Sequence, residues 1–231
     1  MKKNLFPVTF VFCCLSLAMS FTVNSATSVT PIPGVPKGVN KFLDQTDINR
    51  LVHKGFKVYT GNVPPTLNGT YLLDKMTVTY DSGGYDGAYP IGHQIETYTY
   101  SFSNQHPAGQ IDLSYESPDA NDKGVGKGSY LSGADNCFTI YMEKKGEENG
   151  CHYQGAVVFS GCVVADGLKN VGGSYTMKNK EKTSACAEMM PVNAFRIYKK
   201  DGGLARKLKP GENPFGTVEE ASESSEESPQ D

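Results

Sequence analysis

The chain has 231 residues, 22 of them Lys or Arg against 25 Asp or Glu, for a formal net charge of −3. It carries 13 tyrosines, 11 phenylalanines, six cysteines and no tryptophan. A chain so near neutrality lacks the clustered positive charge that phosphate backbones require, which argues against nucleic acid as a partner.

Residues 1–26, "MKKNLFPVTFVFCCLSLAMSFTVNSA", place Lys2 and Lys3 before an apolar run from Leu5 to about Leu17, followed by small residues. This is the three-part form of a secretory signal peptide. The run is shorter than the roughly 18 to 20 residues that cross a bilayer, and Ser20, Thr22 and Asn24 follow it, so no transmembrane segment is expected. Lipidation needs a small residue before the modified cysteine, whereas Cys13 follows Phe12 and Cys14 follows Cys13. The expected location is therefore outside the cytoplasm, periplasmic or secreted.

Residues 27–45, with "TPIPGVPKGVNKF", are Pro-rich and read as an extended approach. One short helix is predicted in "TDINRLVHKG", with Thr46 as N-cap, Asp47 in the first turn and Gly55 at the stop. Ile48, Leu51 and Val52 fall at helical spacing. A helix of about two turns is not stable alone, so these residues and Phe56 must lie on something larger.

From Gly69 onward the pattern changes to period two, with turn residues between the runs. Eight strands are predicted, near Gly69–Tyr80, Ile91–Ser103, Gln110–Ser117, Gly128–Ser132, Cys137–Glu143, Cys151–Val164, Asn170–Lys178 and Val192–Lys199. Separators such as "DSGGYDG", "SPDANDKGVG" and "KKGEENG" supply positive φ or preset turns. Eight antiparallel strands within residues 46–208 fit an all-β, up-and-down barrel, which leaves no open sheet edge. In "IETYTYSFSN", Tyr98, Tyr100 and Phe102 alternate with Thr97, Thr99, Ser101 and Ser103, so one face is wholly aromatic. Together with Tyr115, Phe138 and Phe159 they either fill the core or line a cavity, because a barrel of this size holds side chains or one small ligand.

Residues 209–231 end in "TVEEASESSEESPQD", with six acidic residues, no basic ones and no large apolar side chain after Val218, and are expected to be disordered. Without that tail and the two leader lysines, about 19 acidic residues face 20 basic ones. The basic run "ARKLKPG" reads as a solvated exit from the last strand. Removal of the leader leaves Cys137, Cys151, Cys162 and Cys186, an even set that in an exported chain reads as disulfides. No Cys-x-x-Cys pair exists, and His152 adjoins Cys151 directly, so a zinc site fails on spacing. Hairpin arithmetic puts Cys151 opposite about Thr183 and within reach of Cys186, leaving Cys137 for Cys162. "GVGKGS" lacks the ending of a phosphate loop and reads as a flexible connection. His53, His93, His106 and His152 are scattered, so no catalytic residue, metal or cofactor is predicted.

The segment "INRLVHKGFKVYTGNVPPTLNGTYLL" resembles the helix, linker and first strand of lipocalin-like proteins of bacterial envelopes, within the calycin superfamily, and "FRIYKKDGGLA" resembles their closing strand. The resemblance covers roughly Thr46 to Leu208 and implies a barrel with the helix lying across one end. It also implies a first-strand Gly-x-Trp motif covered by an arginine of the last strand. Here Gly69, Thr70 and Tyr71 occupy the motif and Arg196 the last strand, so a guanidinium over the Tyr71 ring is expected to close the barrel end. The implied function is binding of a small apolar or amphipathic ligand. The alternative is an interaction or structural protein of the envelope, with a side-chain-filled barrel that contacts a protein or glycan.

Overall fold

The computed structural model describes residues 31–119, 122–148, 150–200 and 202–215. The expected leader, and the expected acidic tail beyond residue 215, lie outside the described residues. A 3-10 turn (Lys37–Lys41) and helix α1 (Gln45–His53) come first. Then follow β1 (Gly69–Leu73), β2 (Met76–Asp81), β3 (Tyr98–His106), β4 (Gln110–Ser117) and β5 (Asp122–Ala134). The remaining strands are β6 (Cys137–Glu148), β7 (Cys151–Val164), β8 (Gly167–Lys180), β9 (Phe195–Lys200) and β10 (Ala205–Arg206).

These strands form one sheet in the order β1-β3-β4-β5-β6-β7-β8-β9-β2, with β10 against the start of β8, and every named pairing is antiparallel. The sheet curls strongly into a half-barrel. Its two end strands are consecutive in the chain, joined through Asp74 and the positive-φ Lys75. The chain itself therefore draws the sheet's ends together. Backbone bonds reinforce the approach: Leu208 donates to Thr70, Gly92 to Val78 and Ile95 to Met76. At the base β10 comes so near that a Cβ on Gly167 would lie 2.1 Å from the Ala205 carbonyl oxygen, which leaves glycine as the residue that fits.

Alternation along β6 and β7 buries residues on both faces. Phe138, Ile140 and Met142 join Val157, Phe159, Phe102, Leu113 and Tyr71 in a core inside the curl. The residues between them, Tyr141, Ala156 and Val158, join Phe195 and Ile197 in a second core on the outer face. Helix α1 covers that outer core with Ile48 and Leu51, aided by Val39, Leu43 and Phe56. Burying each such side chain stabilises by roughly 1.5–3 kcal/mol, which explains why so short a helix persists. Lys178 of β8 pins it further through the buried Asp47 carboxylate at 2.5 Å.

Several expectations are corrected here. The helix is capped by Asp44, whose side chain accepts from the Asp47 backbone at 2.9 Å, instead of by Thr46, because the chain turns helical two residues earlier. Val52 is 41 % exposed, since the step of about 100° per residue carries it past the apolar stripe that Ile48 and Leu51 define. The helix lies on the outer face of the sheet and not across its end. Val39 and Leu43 have no exposed surface, so the folded body begins ahead of residue 46 and the Pro-rich approach is part of it.

The expected first strand is interrupted at Asp74 and Lys75, and the second begins at Tyr98, with its earlier residues bonded to β2 as a loop. "GVGKGS" is not a connection but part of β5, and "KKGEE" extends β6. Two residues of the supposed basic exit form β10. β4 and β7 keep their expected bounds. Both expected disulfides are present, Cys137–Cys162 with Cα atoms 3.9 Å apart and Cys151–Cys186 with 5.0 Å. The first joins residues directly opposite in the β6–β7 register, without the offset that hairpin arithmetic assigned them.

Leu51→Ala is expected to lose about 2–5 kcal/mol of unfolding free energy, while Val52→Ala stays within about 0.5 kcal/mol. Urea denaturation followed by circular dichroism measures both, and equal effects would refute the outer-face docking of α1.

Candidate functional site: a tyrosine-lined mouth of the curled sheet

All six candidate lining residues lie in or against the inner core. Phe102 and Phe138 sit in its depth, with ring centroids 6.1 Å apart, and Phe159 lies 6.0 Å from Phe138 and 5.7 Å from Phe102. Tyr100 stacks on Phe159 at 4.7 Å and on Tyr115 at 5.4 Å, and Tyr98 packs on Tyr115 at 6.2 Å. The six thus form a continuous chain of rings. The phenylalanines are at most 1 % exposed and Tyr115 6 %, whereas Tyr98 and Tyr100 keep accessible surface. The interior is closed with side chains at depth, and of these six rings those of Tyr98 and Tyr100 stay partly accessible.

The end of the curl that holds Tyr98 and Tyr115 also gathers tyrosines that the sequence reading did not select: Tyr153 at the start of β7, Tyr175 late in β8 and Tyr198 in β9. Three of these rings rest on glycines of a neighbouring strand. A Cβ on Gly124 would fall 2.6 Å from the Tyr115 ring, on Gly146 2.7 Å from the Tyr153 ring, and on Gly155 2.5 Å from the Tyr175 ring. Between the same three rings stands Lys144 of β6, its Nζ 5.2, 5.8 and 5.9 Å from the centroids of Tyr115, Tyr153 and Tyr175.

Two loops roof this mouth. Residues 82–97, between β2 and β3, are clasped by Arg196 and Asp81, which face each other in the β2–β9 register. Asp81 accepts from the backbones of Gly83 at 2.8 Å and Tyr89 at 3.2 Å, and from the Tyr85 hydroxyl at 2.9 Å. Arg196 donates to the Tyr85 hydroxyl at 2.9 Å and the Gly87 carbonyl at 2.7 Å, and its guanidinium lies 3.9 Å from the Tyr89 ring centroid. The second loop, residues 181–194, is tied down by Cys151–Cys186 and by Lys180, which donates to the carbonyls of Cys186 and Met189. The loops approach where Gly87 lies against the Glu188 carbonyl, and Tyr85, Met177 and Met190 pack beneath.

Arg196 therefore does not cover Tyr71. Lys207 does, with Nζ 5.8 Å from the ring and its stem against Gly69. The expected closure of the base by Gly69, Tyr71 and Arg196 is corrected to Gly69, Tyr71 and Lys207. The reason is electrostatic. A guanidinium facing the Asp81 carboxylate across the ladder gains charge-assisted hydrogen bonds, against which a cation–π contact of about 0.5–2 kcal/mol cannot compete.

Burial works against the Asp81 carboxylate, yet the Gly83 and Tyr89 N–H groups and the Arg196 guanidinium outweigh it and hold the pKa below its ordinary value. Burial likewise disfavours the Arg196 cation, but Tyr198, Asp81 and Tyr85 together raise its pKa. Tyr85 and Tyr198 are raised chiefly by burial and keep their protons. The clasp is thus a fixed charge pair with phenol donors, and no member of it is poised for proton transfer near neutrality. Beside the mouth an open groove of about 580 Å³ is lined by Lys145, His152, Tyr153, Gln154, Asn179 and Lys180. Among the described residues no three His, Cys, Asp or Glu side chains come together as a metal site would require.

Asp81 has a lower pKa folded than unfolded, so its stabilising contribution is full above the ordinary carboxylate value of about 4 and fades as pH falls through the folded value. Asp81→Asn, which leaves Arg196 buried without its counter-charge, is expected to cost about 3 kcal/mol at neutral pH. The deficit is smaller at about pH 3 than at about pH 7, because below about pH 4 the carboxylate of the unfolded wild-type chain protonates and the advantage of its folded charge fades. Chemical denaturation at both pH values measures it, and a deficit unchanged by acid would show that charge plays no part.

Comparison with known proteins finds no family model, no curated protein and no solved structure that matches this chain, so what the mouth does has to be argued from its own residues.

Proposed function

We propose that the chain is an exported recognition protein on a calycin-like, lipocalin-like barrel, with an interior filled by side chains and a tyrosine-lined mouth that makes the contacts. In this reading β1 with β2, and β9 with β10, are single interrupted strands, so the ten segments count as eight around the barrel. Export is supported by the form of residues 1–26 and by two disulfides, which persist in oxidising compartments.

One observation carries the choice between a ligand chamber and a filled barrel. A ring facing a chamber large enough even for water keeps accessible surface, yet Phe138 has 0 % and Phe102 and Phe159 have 1 %. A drug-sized ligand needs roughly 300 Å³ or more, and the rings that were to line such a space fill it instead. Recognition then belongs to the mouth, where Tyr98, Tyr100, Tyr153, Tyr175 and Tyr198 remain partly accessible. Tyrosine suits that work, offering a broad apolar face and a hydroxyl at low entropic cost.

Native mass spectrometry of protein purified from its source tests the reading. The expected mass is that of the bare chain without its leader and with two disulfides formed. A stoichiometric apolar molecule retained through purification would overturn the filled-interior reading and restore the carrier.

A further inference from the structure

Resting on the reading of the mouth as a recognition site, we propose that Tyr115, Tyr153 and Tyr175 form a seat for a methylated ammonium group, occupied here by the chain's own Lys144. Two independent observations support it. The first is the cation among the three rings, at 5.2, 5.8 and 5.9 Å from their centroids. Aromatic faces attract cations within about 6 Å through the ring quadrupole, and here one ammonium meets that condition three times. The second is that each of these rings lies over a glycine on an adjacent strand, Gly124, Gly146 or Gly155. Rings supported by backbone on one side are held in place before any ligand arrives, and pre-organisation of this kind reduces the entropic cost of binding.

Charge and hydration select the ligand class. A primary ammonium such as that of Lys144 is a compact, strongly hydrated point charge, so aromatic faces compensate poorly for the water it gives up. Lys144 holds the seat because β6 delivers it there and association costs no translational freedom. A quaternary or methylated ammonium carries the same charge under an apolar shell, sheds water readily and gains contact with all three faces. Such a ligand outcompetes Lys144 only when present at sufficient concentration, and its apparent affinity is reduced by the fraction of time the lysine occupies the seat. Lys144 is therefore an internal competitor that sets the threshold.

Tetramethylammonium chloride, titrated into the full mature chain and read by NMR shifts of the tyrosine ring signals, is the test, with sodium chloride at equal ionic strength as control. Lys144→Gln is expected to bind about tenfold more tightly than wild type, and adding Tyr175→Leu to that variant to reverse the gain. Choline and phosphatidylcholine vesicles extend the test. Binding of free choline alone marks a soluble ligand, and vesicle binding that Tyr175→Leu abolishes marks a lipid headgroup. Should Lys144→Gln fail to fold, the wild-type titration decides: saturable shifts at Tyr115, Tyr153 and Tyr175 support the seat, and their absence overturns it. No saturable shift in a folded Lys144→Gln variant overturns it as well. The broader reading has its own readout, since a bare native mass alongside a failed titration removes the ammonium seat and leaves the filled barrel standing.

Discussion

Strand β7 must be buried on both of its faces, and most of the architecture follows from that requirement. From Gly155 to Cys162, Ser160 is the one polar side chain, and all eight positions are buried. A strand of this kind cannot sit on a sheet with one wet side. The curl supplies a cover for Val157 and Phe159, and α1 with the preceding 3-10 turn supplies a cover for Ala156 and Val158. β7 is also hydrogen-bonded along both edges and carries one cysteine of each disulfide, Cys151 at its start and Cys162 near its end. The strand that gains most from burial is thus the one most heavily restrained.

Two-sided burial limits where the molecule can meet anything else. The outer face of β6 to β9 is spent on the helix, and the inner face at depth is spent on phenylalanines. The end towards Tyr98, Tyr115 and Tyr153 retains accessible aromatic surface in Tyr98, Tyr100 and Tyr153, and it is there that both long loops converge. The restraint of β7 by Cys151–Cys186 reaches the same place, because Cys186 belongs to one of those loops. Stability and the candidate site are coupled through that bond: the link that staples β7 also sets the roof of the mouth.

How much of this could be read from the sequence depends on whether the signal was local. Strands β4 and β7 matched their predicted bounds because the turns that flank them are local signals, to which β4 adds the alternation of Ile111, Leu113 and Tyr115 with polar residues. The cysteine pairing was legible from hairpin geometry, since β6, β7 and β8 follow one another directly. β5 was predicted only from Gly128 to Ser132, and its first residues were missed because glycines at 124 and 126 have no side chains with which to alternate. Their meaning lies on neighbouring strands, in the rings of Tyr115 and in Met142, which occupy the space a Cβ would take. Tyr153, Tyr175 and Lys144 were passed over for the same reason, as nothing in their local sequence places them together. Val52 was placed with Ile48 and Leu51 on the buried stripe of α1, and the outer core, which fixes the direction of that stripe, leaves it exposed.

The two cations of the mouth illustrate why register outweighs motif. The sequence singled out Arg196 for an aromatic partner, and it has one, but in Tyr89 and not Tyr71. What decides the choice is Asp81, brought opposite Arg196 by the β2–β9 ladder, 115 residues away in the chain. A guanidinium can satisfy a carboxylate, a phenol and a carbonyl at once while keeping a face for stacking, so Arg196 becomes the fixed clasp of the roof. Lys144 has no planar fork and pivots on a flexible stem. Placed among three rings, it lies within reach of the quadrupoles of all their faces. In the proposed seat the lysine is the one whose place another cation would take, since Gly124, Gly146 and Gly155 lie beneath the rings whatever cation stands between them.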